Sequence, residues 1–233
     1  MRYMTKKTDI FVAIDTQSLE NAKKLVNQLS NRHCGIKIGK ELFTSCGPEI
    51  VQWVKDEGFK VFLDLKFHDI PNTVMKACEA ASRINVDIIN VHTLGGKEMM
   101  LAAKNAVSNQ QIKLIGVTLL TSHSHDFIKE VGFNGSIDDC VKRLAINAAE
   151  SGLDGIVCAA PDIPNLRKYM PSNFIFITPG IRLGKINNDD QKRASNPIDA
   201  VNFGSNILVI GRPITGDLNP HEALLNVYNQ LNN

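Results

Sequence analysis

Residues 60–69 read KVFLDLKFHD. The first seven, KVFLDLK (60–66), form a short apolar run that charged residues enter only toward its end. A segment of this length with apolar residues on both faces reads as a strand of a covered parallel sheet. Seven further runs repeat the pattern: IFVAID (10–15), CGIKIG (34–39), IINVHT (88–93), KLIGVTLL (113–120), GIVCAA (155–160), FIFITPG (174–180) and NILVIGR (206–212).

Amphipathic stretches separate these runs. Helical periodicity is expected at 18–30, 48–58, 72–84, 96–108, 137–151, 162–170 and 220–231, with Ser18 placed to cap the first. A further helix near 190–203 is interrupted by Pro197. Eight strands, each followed by a helix and with no linker or low-complexity segment between them, predict a single α/β domain over 1–233, a TIM (β/α)8 barrel. A doubly wound sheet is the alternative, and the regular unit length favours the barrel.

Composition supports a folded core that needs no disulfide or structural metal. The 233 residues are 43% hydrophobic and 21% charged, and a domain of this size buries roughly 70% or more of the surface of its unfolded chain. Lys and Arg number 26 against 24 Asp and Glu, a formal net charge of +2. That balance argues against a nucleic-acid coat or a polybasic membrane module. Cys34, Cys46, Cys78, Cys140 and Cys158 are odd in number, widely spaced and without a C-x-x-C pair. A disulfide framework or zinc ribbon is not expected, and a reducing, cytoplasmic setting is. The run IFVAI is too short for a signal peptide or a membrane span.

In a barrel, chemistry collects at the carboxyl ends of the strands. The unusual polar residues fall there: Asp15, Lys37, Asp64, Lys66, His92, Thr118, Thr121, Arg182 and Arg212. Residues i and i+2 of a strand share a face, so Asp64 and Lys66 are expected to enter the barrel mouth together while Leu65 packs outward. Lys37 stands at a comparable height on the neighbouring strand. A lysine among carboxylates keeps its proton and serves as a general acid. The plain alternative is a salt-bridge network at the rim, but three charged residues in Asp64–Asp69 beside another inward lysine are too concentrated for that.

After strands 7 and 8, where barrels commonly bind phosphate, TPGIR (178–182) and IGRPIT (210–215) each set glycine close to arginine. Glycine lets backbone N–H groups approach an oxyanion, and arginine offers a charged planar fork. Gly95-Gly96 after His92 reads as a tight turn beside a hydrogen-bonded buried histidine. His123, His125 and Asp126 read as solvated polar sequence, because no further ligand spacing supports a metal. No P-loop, G-x-G-x-x-G or nucleophile elbow is present, and nothing calls for a cofactor.

These residues resemble the orotidine 5′-phosphate decarboxylase family in its bacterial form. The matching pieces are VAID (12–15), IKIGKELF (36–43), FLDLKFHDIPNTV (62–74), NVHTLGG (90–96), LLTS (119–122), GLDGIVC (152–158), TPGIR (178–182), DDQKR (189–193) and VIGRPIT (209–215). They keep the family order over nearly the whole chain, and DLKFHDIPNT is the most specific. The resemblance implies a cofactor-free, metal-free enzyme that converts orotidine 5′-phosphate to UMP and CO2 in pyrimidine biosynthesis. It implies Lys66 as proton donor, with Asp64, Asp69 and Lys37 completing the catalytic array. Asp15, Lys37 and Thr73 would bind ribose, and Thr121 would lie beside the pyrimidine. Arg182, Gln191, Gly211 and Arg212 would serve the phosphate end and lid. It also implies a homodimer in which Asp69 and Thr73 reach the partner's active site, with no nucleic-acid or membrane partner.

The rival reading is a magnesium-dependent decarboxylase or aldolase of the same superfamily acting on sugar phosphates, whose members also resemble D-x-K-x-x-D at strand 3. Those enzymes place an acidic residue where this chain has Lys37, because a divalent cation needs anionic ligands.

Overall fold

The computed structural model describes residues 8–108, 110–120, 125–183 and 194–232. Among these, eight parallel strands close into one barrel in chain order. They are β1 (Asp9–Ile14), β2 (Gly35–Gly39), β3 (Val61–Phe67), β4 (Ile88–His92), β5 (Lys113–Val117), β6 (Gly155–Val157), β7 (Ile175–Thr178) and β8 (Ile207–Ile210). Closure is direct, since Val12 pairs with Ile36 of β2 on one side and with Ile210 of β8 on the other. The helices form the outer ring. In chain order they are α1 (Leu19–Val26), α2 (Lys40–Cys46), α3 (Glu49–Asp56), α4 (Pro71–Arg83), α5 (Gly96–Val107) and α6 (His125–Glu130). There follow α7 (Ile137–Glu150), α8 (Ile163–Arg167), α9 (Pro197–Asn202), α10 (Arg212–Thr215) and α11 (Pro220–Asn232).

The apolar runs are explained by two cores. Alternate residues point inward, and Phe11, Ala13, Phe62, Ile88, Ile115, Ile177, Ile207 and Val209 fill the barrel. The other set, including Val12, Ile36, Ile38, Leu63 and Ile89, packs against the helices. Leu65 belongs to that outer layer, as its strand parity requires.

At the amino-terminal end of the barrel one device recurs. Asp87, Asp154 and Asn206 immediately precede β4, β6 and β8. Their side chains accept the backbone N–H of Val61 (2.7 Å), Leu114 (2.9 Å) and Phe176 (2.8 Å) on the preceding strand. Each also donates its own N–H to the carbonyl of that same residue. Lys55 and Lys104 then neutralise the two aspartates at 2.7 and 2.8 Å. These ties sit opposite the mouth, where they stabilise the fold without touching the site.

Local differences from the expected elements have simple causes. Ser18 caps α1 as expected, its Oγ accepting from the N–H of Asn21. Pro197 opens α9 instead of interrupting a helix: it occupies the first turn, which needs no N–H donor, and Asn196 caps it by accepting from Asp199 N–H at 2.8 Å. β6 stops at Val157, three residues short of the expected run, where a turn containing Pro161 begins. His125 and Asp126, read from sequence as solvated polar residues, open the short helix α6. Among the described residues no helix is long and apolar enough to cross a membrane.

Candidate active site

The carboxyl ends of the strands enclose a cavity of about 470 Å³, within the ~300–1,000 Å³ usual for small-molecule sites. Its sides differ in chemistry. Phe62, Val117, Val157, Ile177 and Val209 form an apolar floor. Asp15, Lys37, Asp64 and Lys66 form a charged wall from β1 to β3. Gly180, Arg182, Gly211 and Arg212, after β7 and β8, complete the lining, with Gly211 next to Asp15 because β8 pairs with β1.

The charged wall alternates in sign. Lys37 Nζ lies 3.3 Å from Asp15 Oδ1 and 3.3 Å from Asp64 Oδ2, and Lys66 Nζ lies 2.7 Å from Asp64 Oδ1. Lys37 is 8% exposed, so its charge is held by these partners more than by water. In register Lys37 pairs with Phe62, two residues below Asp64, and its long side chain rises to the carboxylate. Gly39 keeps this corner open, because a β-carbon there would lie 3.0 Å from Lys37 Nζ and 3.3 Å from Asp15 Oδ1. Burial pushes the Asp64 carboxyl up, but the charges of Lys37 and Lys66 and hydrogen bonds from Lys66 and Asn90 outweigh it. The net effect holds Asp64 below the ordinary carboxylate range, as a carboxylate.

Lys66 does not continue a regular strand. Its φ is 52°, and the β3–β4 pairing shifts between Leu63 and Phe67. A non-glycine residue in this region costs roughly 1–2 kcal/mol, so other contacts must hold it. Asn90, fully buried in β4, is one of them: its Oδ1 accepts the Lys66 backbone N–H at 2.7 Å and its Nδ2 donates to Asp64 Oδ1 at 2.7 Å. Sequence reasoning passed over Asn90. The available signal was a polar residue at the inward parity of β4, two positions before His92.

Of the expected residues, the fold brings Asp15, Lys37, Asp64, Lys66, Arg182, Gly211 and Arg212 to one cavity. Asp69 and Thr73 are exposed and do not line it, and Asp69 Oδ1 accepts the N–H of Ile70. Thr121, His123 and Gln191 lie outside the described residues. His92, read from sequence as a buried turn histidine, is part of the cavity lining, its ring 5.6 Å from that of His68. Thr118 is instead structural, its hydroxyl donating to the Val157 carbonyl at 3.0 Å. The arginine end is anchored by backbone: Arg182 N–H donates to Ser195 O at 3.0 Å and Ser195 N–H to Gly180 O at 3.3 Å. Gly180 has φ 75°, which favours glycine at this turn. The cavity thus combines two arginines that can hold an anion with an ammonium, Lys66, that can offset negative charge or give up a proton.

A sequence model of the family described as "Orotidine 5'-phosphate decarboxylase / HUMPS family" matches residues 8–227. An orotidine 5'-phosphate decarboxylase of Nitrosomonas eutropha is 49% identical over 215 residues, covering 92% of this chain and 93% of the relative. One of Saccharophagus degradans is 47% identical over 217 residues, 92% of this chain and 91% of the relative. Among solved structures, orotidine 5'-phosphate decarboxylase from Lactobacillus acidophilus superimposes with a TM-score of 0.87 at 32% identity, covering 97% of this chain and 100% of that one.

Proposed function

The chain belongs to the orotidine 5′-phosphate decarboxylase / HUMPS family, and from that premise we propose that it converts orotidine 5′-phosphate to UMP and CO2. The observation that carries this reading is the alternating Asp15–Lys37–Asp64–Lys66 wall sharing one cavity with Arg182 and Arg212. The arginines and the neighbouring glycines bind the phosphate. Asp15 and Lys37 take the ribose hydroxyls, and the pyrimidine lies over the apolar floor with C6 toward Lys66. The resemblance of LLTS (119–122) and DDQKR (189–193) to the family supports adding Thr121 beside the pyrimidine and Gln191 at the phosphate end.

In the reaction the bond between C6 and the carboxylate carbon breaks. CO2 leaves and the electron pair stays on C6, where the ring offers no ordinary π-acceptor. The Lys66 ammonium offsets that charge as it develops and then passes a proton to C6, becoming an amine that water reprotonates. Asp64, held ionised, keeps the ammonium oriented and stands near the departing carboxylate. The phosphate is remote from the breaking bond, so its binding energy serves to organise the site. The reaction drawn in this way calls on no cofactor or metal. The ammonium of Lys37 between two carboxylates also disfavours a divalent cation there, which speaks against a magnesium-dependent sugar-phosphate enzyme.

The active unit in this reading is a homodimer, with Asp69 and Thr73 completing the partner's cavity. Their exposure outside their own cavity supports it, as does Ile70 beside them, an isoleucine left 66% exposed. Five free thiols suit a cytoplasmic enzyme. The test is direct: purified protein should deplete orotidine 5′-phosphate absorbance and form UMP stoichiometrically with CO2. UMP binding without turnover of orotidine 5′-phosphate would instead make the chain a nucleotide-binding module.

A further inference from the structure

We propose that Asn90 is a positioning residue for the reaction: its amide couples the left-handed backbone at Lys66 to the carboxylate of Asp64, and so sets where the Lys66 ammonium points. The inference rests on the decarboxylase reading above.

Three observations carry it. Asn90 is fully buried in the middle of β4, in a strand otherwise apolar up to His92. Its two polar atoms are both spent on the catalytic wall, Oδ1 accepting from Lys66 N–H and Nδ2 donating to Asp64 Oδ1, each at 2.7 Å. The same Asp64 oxygen receives Lys66 Nζ at 2.7 Å. One side chain therefore holds both ends of the lysine, its backbone directly and its ammonium through Asp64. The contact lies where the β3–β4 ladder slips, so the Asn90 carbonyl supplies an acceptor to a backbone N–H at the irregularity. The amide orientation is fixed by its partners, because a flipped amide would set N–H against N–H and carbonyl against carboxylate.

Charge makes the role testable. Asp64 and Lys66 face Asn90 from β3, Lys37 of β2 lies beyond Asp64, His92 stands two residues along β4, and β5 presents Ile115 opposite. In Asn90→Asp the new carboxylate can still accept from Lys66 N–H but opposes Asp64. Once protonated it matches the amide in both functions, its carbonyl accepting and its O–H donating.

The experiment compares kcat and KM for orotidine 5′-phosphate in the wild-type chain, Asn90→Ala and Asn90→Asp, with far-UV circular dichroism as the check on folding. Asn90→Ala should lose about 10²-fold in kcat with KM changed only a few-fold, the cost of a misplaced reacting group. Asn90→Asp should be impaired at neutral pH and recover as the pH is lowered, over an interval in which the wild-type rate does not rise. A kcat for Asn90→Ala within about threefold of wild type, or a wild-type pH profile for Asn90→Asp, would overturn the assignment. Failure of both variants to fold would overturn it too, making Asn90 a folding residue. An inactive wild-type chain would count against the decarboxylase reading alone. In that case the Lys66 Nζ NMR signal still reads the coupling: it should move in Asn90→Ala, and an unmoved signal would refute the role.

Discussion

Nζ of Lys66 lies 2.7 Å from Oδ1 of Asp64 even though the Lys66 backbone has left the extended conformation. The pair forms one unit at the barrel mouth, tied on one side to Lys37 and on the other to Asn90. Charge stabilisation and proton delivery in the proposed reaction both depend on that unit.

The tie at the opposite end of the barrel gives a stability prediction. Burial pushes the Asp154 carboxyl up, but the hydrogen bonds from Lys104 and the Leu114 N–H and the charges of Lys104 and Lys113 outweigh it and hold it below the ordinary range. A lowered value in the folded state means stability that is fully present above the ordinary carboxylate range and lost as the pH falls through the folded value. Asp154→Asn should therefore cost about 1–2 kcal/mol at neutral pH, and the deficit should shrink in strong acid. Urea unfolding of both proteins at the two pH values measures it, with kcat unaffected.

Arg212→Ala should lower kcat/KM for orotidine 5′-phosphate by roughly 10²–10³-fold, as one preorganised charged donor is removed. A truncated substrate without phosphate should be nearly indifferent to the same change. Equal losses for both substrates would assign Arg212 to another part of the ligand or to the fold.

Turnover should survive exhaustive chelation, because Lys37 occupies the space between Asp15 and Asp64 that a divalent ion would need. Activity abolished by EDTA and restored only by magnesium would favour the sugar-phosphate relatives.

Inactive Lys66→Ala and inactive Asp69→Ala chains should complement when mixed, since a mixed dimer holds one site with both defects and one with neither. Subunits that demonstrably exchange and stay inactive would refute a shared site.

How far these features can be read from sequence depends on how local their causes are. The eight strands were legible because barrel strands are covered on both faces, so IFVAI and VFL carry apolar residues at every position. Lys37, Asp64 and Lys66 were legible because charges inside such runs are out of place. The left-handed backbone of Lys66 was not: two residues apart in a strand, Asp64 and Lys66 read as regular, and the irregularity is held by Asn90 from the next strand. Asn90 itself hid among apolar neighbours, since an asparagine signals chemistry less strongly than a charge. Pro197 was misread because a proline's position relative to the first turn decides whether it breaks a helix or begins one.

The most direct test of the central claim is kcat of Lys66→Ala. Lys66 is assigned both the offset of carbanion charge, worth ~3–4 kcal/mol for one preorganised group, and proton donation, worth ~10²–10⁴-fold. The variant should lose several orders of magnitude in kcat while its UMP affinity falls far less, because binding the product needs neither role. A folded Lys66→Ala chain that keeps more than about a tenth of the wild-type kcat would contradict the account, and the proton would then have to come from another acid, with Lys37 the next to examine.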